Sequence, residues 1–230
     1  DVLLEKARSV DGLITLLTDP VDEAVIKNAE NLKVISHVAV GVDNIDLTAA
    51  RDKNIPVGHT PDLLTDATAD LAFTLLLAAA RHLGEALDYA RNGHWETWHL
   101  TKFLGKEVRG STLGIIGMGR IGQAVARRAK GFEMRVLYSN RSPVLETEQE
   151  GGATPTALPD LLSESDFISL HVPLNDDSQS MIGASQFERM KPDAVLINTA
   201  RGVVVDTVAL VVALKTGQIG YAALDVTGPE

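Results

Sequence analysis

The stretch Leu113-Gly114-Ile115-Ile116-Gly117-Met118-Gly119-Arg120-Ile121-Gly122 carries the fold of this chain. An aliphatic run leads into three glycines spaced G-x-G-x-x-G, and residues 121–130 then follow a helical pattern. Alone, such a string is weak evidence; between a strand and a helix it marks a dinucleotide-binding turn. Gly117 permits the tight turn, Gly119 lets the backbone approach a pyrophosphate, and Gly122 lets the helix pack close to the strand. The helix N-terminus then offers free N–H groups and a partial positive charge to the phosphates. Met118, Arg120 and Ile121 complete this candidate cofactor site.

Downstream, residues 135–139, 167–172, 194–198 and 222–226 read as further strands, with helices between them that include 206–216. With 112–116 they predict five strands of a doubly wound parallel sheet. The second strand runs out through Tyr138-Ser139-Asn140-Arg141-Ser142. An NAD site places an Asp or Glu here for the ribose hydroxyls, and this segment has none. Arg141 suits a 2′-phosphate, with Asn140 and Ser142 as added donors. The reading favours NADP(H), with NAD(H) as the alternative.

Upstream, residues 66–92 predict one long helix, with Asp62 and Thr65 as caps and Gly93 as its stop. Residues 94–106, with Trp95 and Trp98, read as an irregular link. Earlier still, strands at 12–17, 32–39 and 55–57 alternate with helices at 21–29 and 47–53. These runs are too apolar for one face of an exposed sheet, which predicts parallel strands covered on both sides. The fold class is therefore α/β: two Rossmann- or flavodoxin-like doubly wound parallel-sheet domains. Residues 1–60 would form the first and 61–230 the second, with its entry helix.

Bulk composition narrows the function classes. Hydrophobic residues make up 45% and charged residues 23%, ordinary for a globular protein. A net charge of −10 argues against a nucleic-acid surface. No apolar run reaches the roughly 18 residues of a membrane span. The absence of Cys removes disulfides and thiolate chemistry. The six His show no metal-ligand spacing with carboxylates, so no metal is expected.

Further strings fall in a fixed order: Val40-Gly41-Val42-Asp43-Asn44-Ile45-Asp46, Thr68-Ala69-Asp70-Leu71-Ala72-Phe73, His171-Val172-Pro173-Leu174, Ile197-Asn198-Thr199-Ala200-Arg201-Gly202 and Ala223-Leu224-Asp225-Val226. Together with the glycine turn they resemble the D-isomer-specific 2-hydroxyacid dehydrogenases, most closely the glyoxylate/hydroxypyruvate reductase branch. The resemblance implies hydride transfer between NAD(P)H and a small 2-oxo acid. Arg201 resembles the arginine that holds the substrate carboxylate and carbonyl, and Glu230 the glutamate that pairs with a catalytic histidine. Backbone N–H groups of Val40 and Gly41 would take the carboxylate. Thr199 and Ala200 would line the nicotinamide, Asp225 would bond its carboxamide, and Pro173 would shape the cofactor groove. For Thr68 and Pro173 a purely structural role fits as well as direct contact.

The resemblance places the proton-donating histidine beyond Glu230, and the substrate domain's first strand and closing segment also outside residues 1–230. The expectation is thus a fold truncated at both ends. Among the His present, His171 is a strand-end residue with a structural role, and His94 and His99 pack near the link. A cytoplasmic homodimer is expected, built on the long helix and the Trp-bearing link. Phosphoglycerate, D-lactate, formate and phosphite dehydrogenases share the pattern, and so do dinucleotide-sensing corepressors.

Overall fold

The computed structural model describes residues 2–142, 144 and 152–228. It divides into two compact units, one of residues 1–65 with 173–175, the other of residues 66–172 with 176–230.

In the first unit α1 (Val2–Lys6) precedes three parallel strands, β1 (Gly12–Thr15), β2 (Val34–His37) and β3 (Val57–Gly58), in the order β1-β2-β3. Asp22 caps α2 (Glu23–Asn28) by accepting from the Val25 amide at 2.9 Å, and Asp46 caps α3 (Leu47–Asp52) by accepting from Ala49 at 2.9 Å. Each carboxylate satisfies an amide that the first helical turn leaves open. Lys53 does the converse at the far end of α2, donating to the Ile26 and Lys27 carbonyls. Ile35 faces a core of Val21, Val25, Ile26, Ile45 and Ile55. The opposite face keeps Ile14 at 80% and Val34 at 44% exposure. Coverage on both sides was expected and is not met here, because the described helices of this unit bury the Leu13, Thr15, Ile35 and His37 side.

Among the described residues of the second unit the sheet has six parallel strands in the order β6-β5-β4-β7-β8-β9. They are β4 (Thr112–Ile116), β5 (Arg135–Ser139), β6 (Thr154–Pro155), β7 (Phe167–Leu170), β8 (Val195–Asn198) and β9 (Tyr221–Leu224). Five were expected; the sixth is a two-residue edge strand, too short to leave an alternating pattern. The central strands alternate between two cores. Leu113, Ile115, Phe167 and Ile197 face one, with Phe73 and Leu76. Ile116, Ile168, Leu170 and Leu196 face the other, with Leu161 and Leu210. Burial on both faces is why these strands read as continuous apolar runs. Among the described residues, the helices that follow β4 are α6 (Arg120–Lys130), α7 (Leu158–Glu164), α8 (Ala184–Phe187) and α9 (Thr207–Thr216).

The single long helix is a correction: it is two helices, α4 (Thr65–Ala80) and α5 (Leu83–Arg91). His82 takes left-handed dihedrals, φ 49 and ψ 40. The chain at 105–106 crosses the end of α4, and the Lys106 amide donates to the Ala80 carbonyl at 2.8 Å. A Cβ on Gly105 would stand 2.0 Å from that carbonyl oxygen, so only glycine fits the crossing. Gly93, with φ +72, ends α5 as expected.

Asp166, at the entry to β7, holds the sheet's amino edge. It accepts from the Thr112 amide at 2.8 Å and pairs with Lys191 at 3.0 Å and Lys106 at 3.2 Å. Burial alone would raise its carboxyl pKa, but these donors hold it below the ordinary carboxylate value.

Candidate active site

Strand order reverses at β4, which lies between β5 and β7. Open α/β sheets bind ligands outside the carboxyl ends of the strands at such a switch. The glycine turn sits there, and its three glycines answer to three different constraints. Gly117 has φ +97, and a Cβ on it would stand 2.5 Å from the His171 carbonyl oxygen. A Cβ on Gly122 would stand 2.3 Å from the Gly117 carbonyl oxygen and 3.2 Å from Ile115 Cγ2. A Cβ on Gly119 would meet nothing within 4 Å. The first two are required by the protein's own packing, whereas Gly119 faces open space. A residue that must be small for no internal reason fits a turn made for a pyrophosphate. Gly119 is also the N-cap of α6 and offers no side-chain cap, and a helix N-terminus of this kind favours a phosphate. Met118 is buried and packs under the turn.

Helix α6 is pinned from behind. Arg128 reaches Asp70 at 2.7 Å and Asp66 at 3.3 Å, both on α4. The pairing raises the guanidinium pKa, first through the Asp70 hydrogen bond. Sequence reasoning did not assign this clamp; no local spacing links positions so far apart. Thr68, on the same helix, is half-buried.

At the end of β5, Asn140 Nδ2 donates to the Ser142 carbonyl at 2.9 Å, closing a short turn. Arg141 pairs with Asp177 at 3.6 Å, both side chains about four-fifths exposed (80% and 81%). Such a pair contributes little and leaves the guanidinium available to a stronger anion. Tyr138, Asn140, Pro155, Thr156 and Ala157 line a hollow of about 260 Å³ beside it.

Beyond β8 the chain turns through Thr199, Ala200 and Arg201. Buried Asn198 shapes this turn: its Oδ1 accepts from the Ala200 amide at 3.0 Å, and its Nδ2 donates to the Arg201 carbonyl at 2.9 Å. Sequence reasoning quoted Asn198 without a role. An Asn at the end of an apolar strand is the available signal, because its side chain can bond a nearby backbone. Arg201 is half-buried, with Nη1 donating to the Ala200 carbonyl at 2.8 Å. Gly202 is pressed under the segment after β9; a Cβ would stand 2.3 Å from the Thr227 carbonyl carbon. Thr199 Oγ1 is buried with no hydrogen-bond partner among the described residues. An unsatisfied buried hydroxyl costs about 1–3 kcal/mol, which a polar ligand group would offset.

Asp225 follows β9 instead of lying within it, as the expected strand 222–226 had it. It is exposed, and its amide donates to the Asn198 carbonyl at 2.9 Å. His171, just past β7, contacts Ser169 Oγ through Nε2 at 2.8 Å. Burial lowers its pKa to about 4, so the ring is neutral near neutral pH and poorly suited to donating a proton. Its amide bonds the Ile116 carbonyl at 2.8 Å, beside the glycine turn. Pro173 falls in the segment 173–175 of the first unit and is exposed. Val40 and Gly41, also in the first unit, form a turn just after β2. Glu230 lies outside the described residues. Among the described residues no group of His, Asp and Glu has metal-binding geometry, and no helix is long and apolar enough to cross a membrane.

The sequence profile of the D-isomer specific 2-hydroxyacid dehydrogenase NAD binding domain matches residues 73–230. A glyoxylate reductase of Thermococcus litoralis is 55% identical over 233 aligned residues, covering 100% of this chain and 70% of that protein. A crystal structure of a Thermus thermophilus protein superposes with TM-score 0.92 at 47% identity, covering 99% of this chain and 71% of that one. A glyoxylate reductase structure from Paecilomyes thermophila superposes with TM-score 0.90 at 35% identity, covering 100% and 72%.

Proposed function

Because the chain belongs to the D-isomer specific 2-hydroxyacid dehydrogenase family, we propose that it acts as a glyoxylate or hydroxypyruvate reductase that prefers NADPH. The family and its relatives make it an NAD(P)-dependent oxidoreductase acting on a small 2-oxo acid. The observation that carries the substrate class is the 55% identity to a glyoxylate reductase across the whole chain.

The residues divide the work as follows. Gly117, Gly119 and the first amides of α6 hold the pyrophosphate, and Thr199, Ala200 and Asp225 hold the nicotinamide end. When bound, the dinucleotide supplies the hydride that reduces the 2-oxo carbon, and the alkoxide oxygen would take its proton from the histidine that Glu230 would pair with. Arg201 anchors the substrate carboxylate with its planar fork and polarises the carbonyl, whose oxygen gains negative charge as reduction proceeds. Backbone N–H groups of Val40 and Gly41 would also take the substrate carboxylate.

The NADPH preference is supported by Arg141 and by the lack of a carboxylate at the end of β5. Wild-type enzyme is expected to show a higher kcat/KM with NADPH than with NADH. Arg141→Ala should lose about 1.5–3 kcal/mol of that discrimination, the worth of a charged hydrogen bond. Steady-state kinetics with both cofactors check this; a wild-type preference for NADH, or unchanged selectivity in the variant, refutes it.

The same reading includes a two-fold homodimer. Its support is the apolar surface of the link after α5, where Trp95 is 61%, Trp98 70%, Leu100 73% and Leu104 67% exposed. Light scattering of the full-length protein at micromolar concentration is expected to return twice the protomer mass. A monomer there would end the dimer reading.

A further inference from the structure

The turn after β2 is tied to the exit of β3 in an informative way. The Thr60 amide donates to the Ala39 carbonyl at 2.9 Å. His59 Nδ1 lies 2.9 Å from the Val40 carbonyl oxygen. A carbonyl only accepts, so Nδ1 carries the hydrogen and His59 is the donor. These are consecutive peptide units. In a planar trans peptide the C=O and the following N–H point in opposite directions. Fixing the Ala39 carbonyl therefore fixes the Val40 N–H, and fixing the Val40 carbonyl fixes the Gly41 N–H. Both carbonyls are drawn to residues 59 and 60, so both N–H groups are turned away from them. Neither N–H has a hydrogen-bond partner among the described residues. Successive N–H groups facing one way make an anion-binding concavity. Donation to the Val40 carbonyl also polarises that amide and strengthens its N–H as a donor. Below the turn, Asn44 Nδ2 bonds the Leu16 and Asp19 carbonyls at 3.0 and 2.7 Å, which leaves the Val40–Gly41 units as the part that residues 59 and 60 orient.

We propose that His59 is a positioning residue that aims the Val40 and Gly41 N–H groups at the substrate carboxylate. This rests on the reading that the turn takes that carboxylate. His59 is exposed and outside the core, so its loss spares the fold. Its ring is needed only as a donor, so an Asn amide can replace it.

The test combines kinetics of full-length protein with amide NMR, using oxamate as the 2-oxo acid analogue. In the wild type, oxamate is expected to shift the Val40 and Gly41 amide resonances. His59→Ala should weaken that response and raise KM for glyoxylate by about fivefold to tenfold, the loss of one hydrogen bond. KM for the dinucleotide and the thermal melt should stay unchanged, and His59→Asn should recover wild-type KM. Responsive amides in the wild type with an unaltered KM in His59→Ala would overturn the proposal alone. So would a His59→Asn variant as impaired as His59→Ala. Silent Val40 and Gly41 amides in the wild type would overturn the carboxylate reading and the proposal with it.

Discussion

Arg201→Ala is expected to lower kcat for glyoxylate by about 10²–10³-fold, the usual cost of removing one donor to a developing oxyanion. KM should rise as well, because the same fork anchors the carboxylate before reduction begins. The fold should survive, since the turn is held through the Arg201 backbone carbonyl and the Asn198 amide, which the substitution leaves in place. Arg201→Lys should recover only part of the loss, as an ammonium cannot form two parallel hydrogen bonds with a carboxylate. Steady-state kinetics and a thermal melt of each variant check this. A change in KM alone would remove the polarising role and leave only the anchor.

The glycine turn yields a paired result. Gly119→Ala should fold and melt like the wild type, because its Cβ meets nothing within 4 Å. Its methyl would occupy the space a pyrophosphate needs, so dinucleotide affinity should fall on the order of 10- to 100-fold, about 1.4–2.8 kcal/mol. Gly122→Ala should lose stability as well as affinity. Its Cβ would lie 2.3 Å from the Gly117 carbonyl oxygen, so either the glycine turn or α6 must shift. Overpacking of this kind costs about 1–3 kcal/mol. Calorimetric titration with NADPH and thermal melts separate the two effects. Wild-type affinity in Gly119→Ala would break the link between that glycine and the phosphates.

The second unit was legible in the sequence because its signals are local. Residues 112–116, 167–170 and 194–197 are mostly apolar, as strands buried on both faces must be. The spacing of Gly117, Gly119 and Gly122 has meaning only between such a strand and a helix. The first unit's sheet was less legible. Apolar runs at 12–17 and 32–39 predicted two covered faces, yet Ile14 and Val34 remain exposed among the described residues. Periodicity reports that a residue is apolar, not which element packs on it.

By itself, the order of residues determined the class of fold, the placement of the glycine turn on a strand–helix junction, and Arg141 and Arg201 at strand ends. Each depends on neighbours within a few positions. Only the tertiary structure decided that residues 66–92 break at His82, where Lys106 takes a helix carbonyl. It alone separated a glycine crowded by the protein from one facing open space. It also decided that Arg128 clamps α6 to Asp66 and Asp70, that Asn198 shapes the Arg201 turn, and that His59 holds the Val40 carbonyl. Most of these contacts join groups many residues apart in the chain, and even the short Asn198 turn depends on how its amide is buried. Hydrogen-bond partners at such separations are chosen by packing geometry and leave no repeating pattern in the sequence.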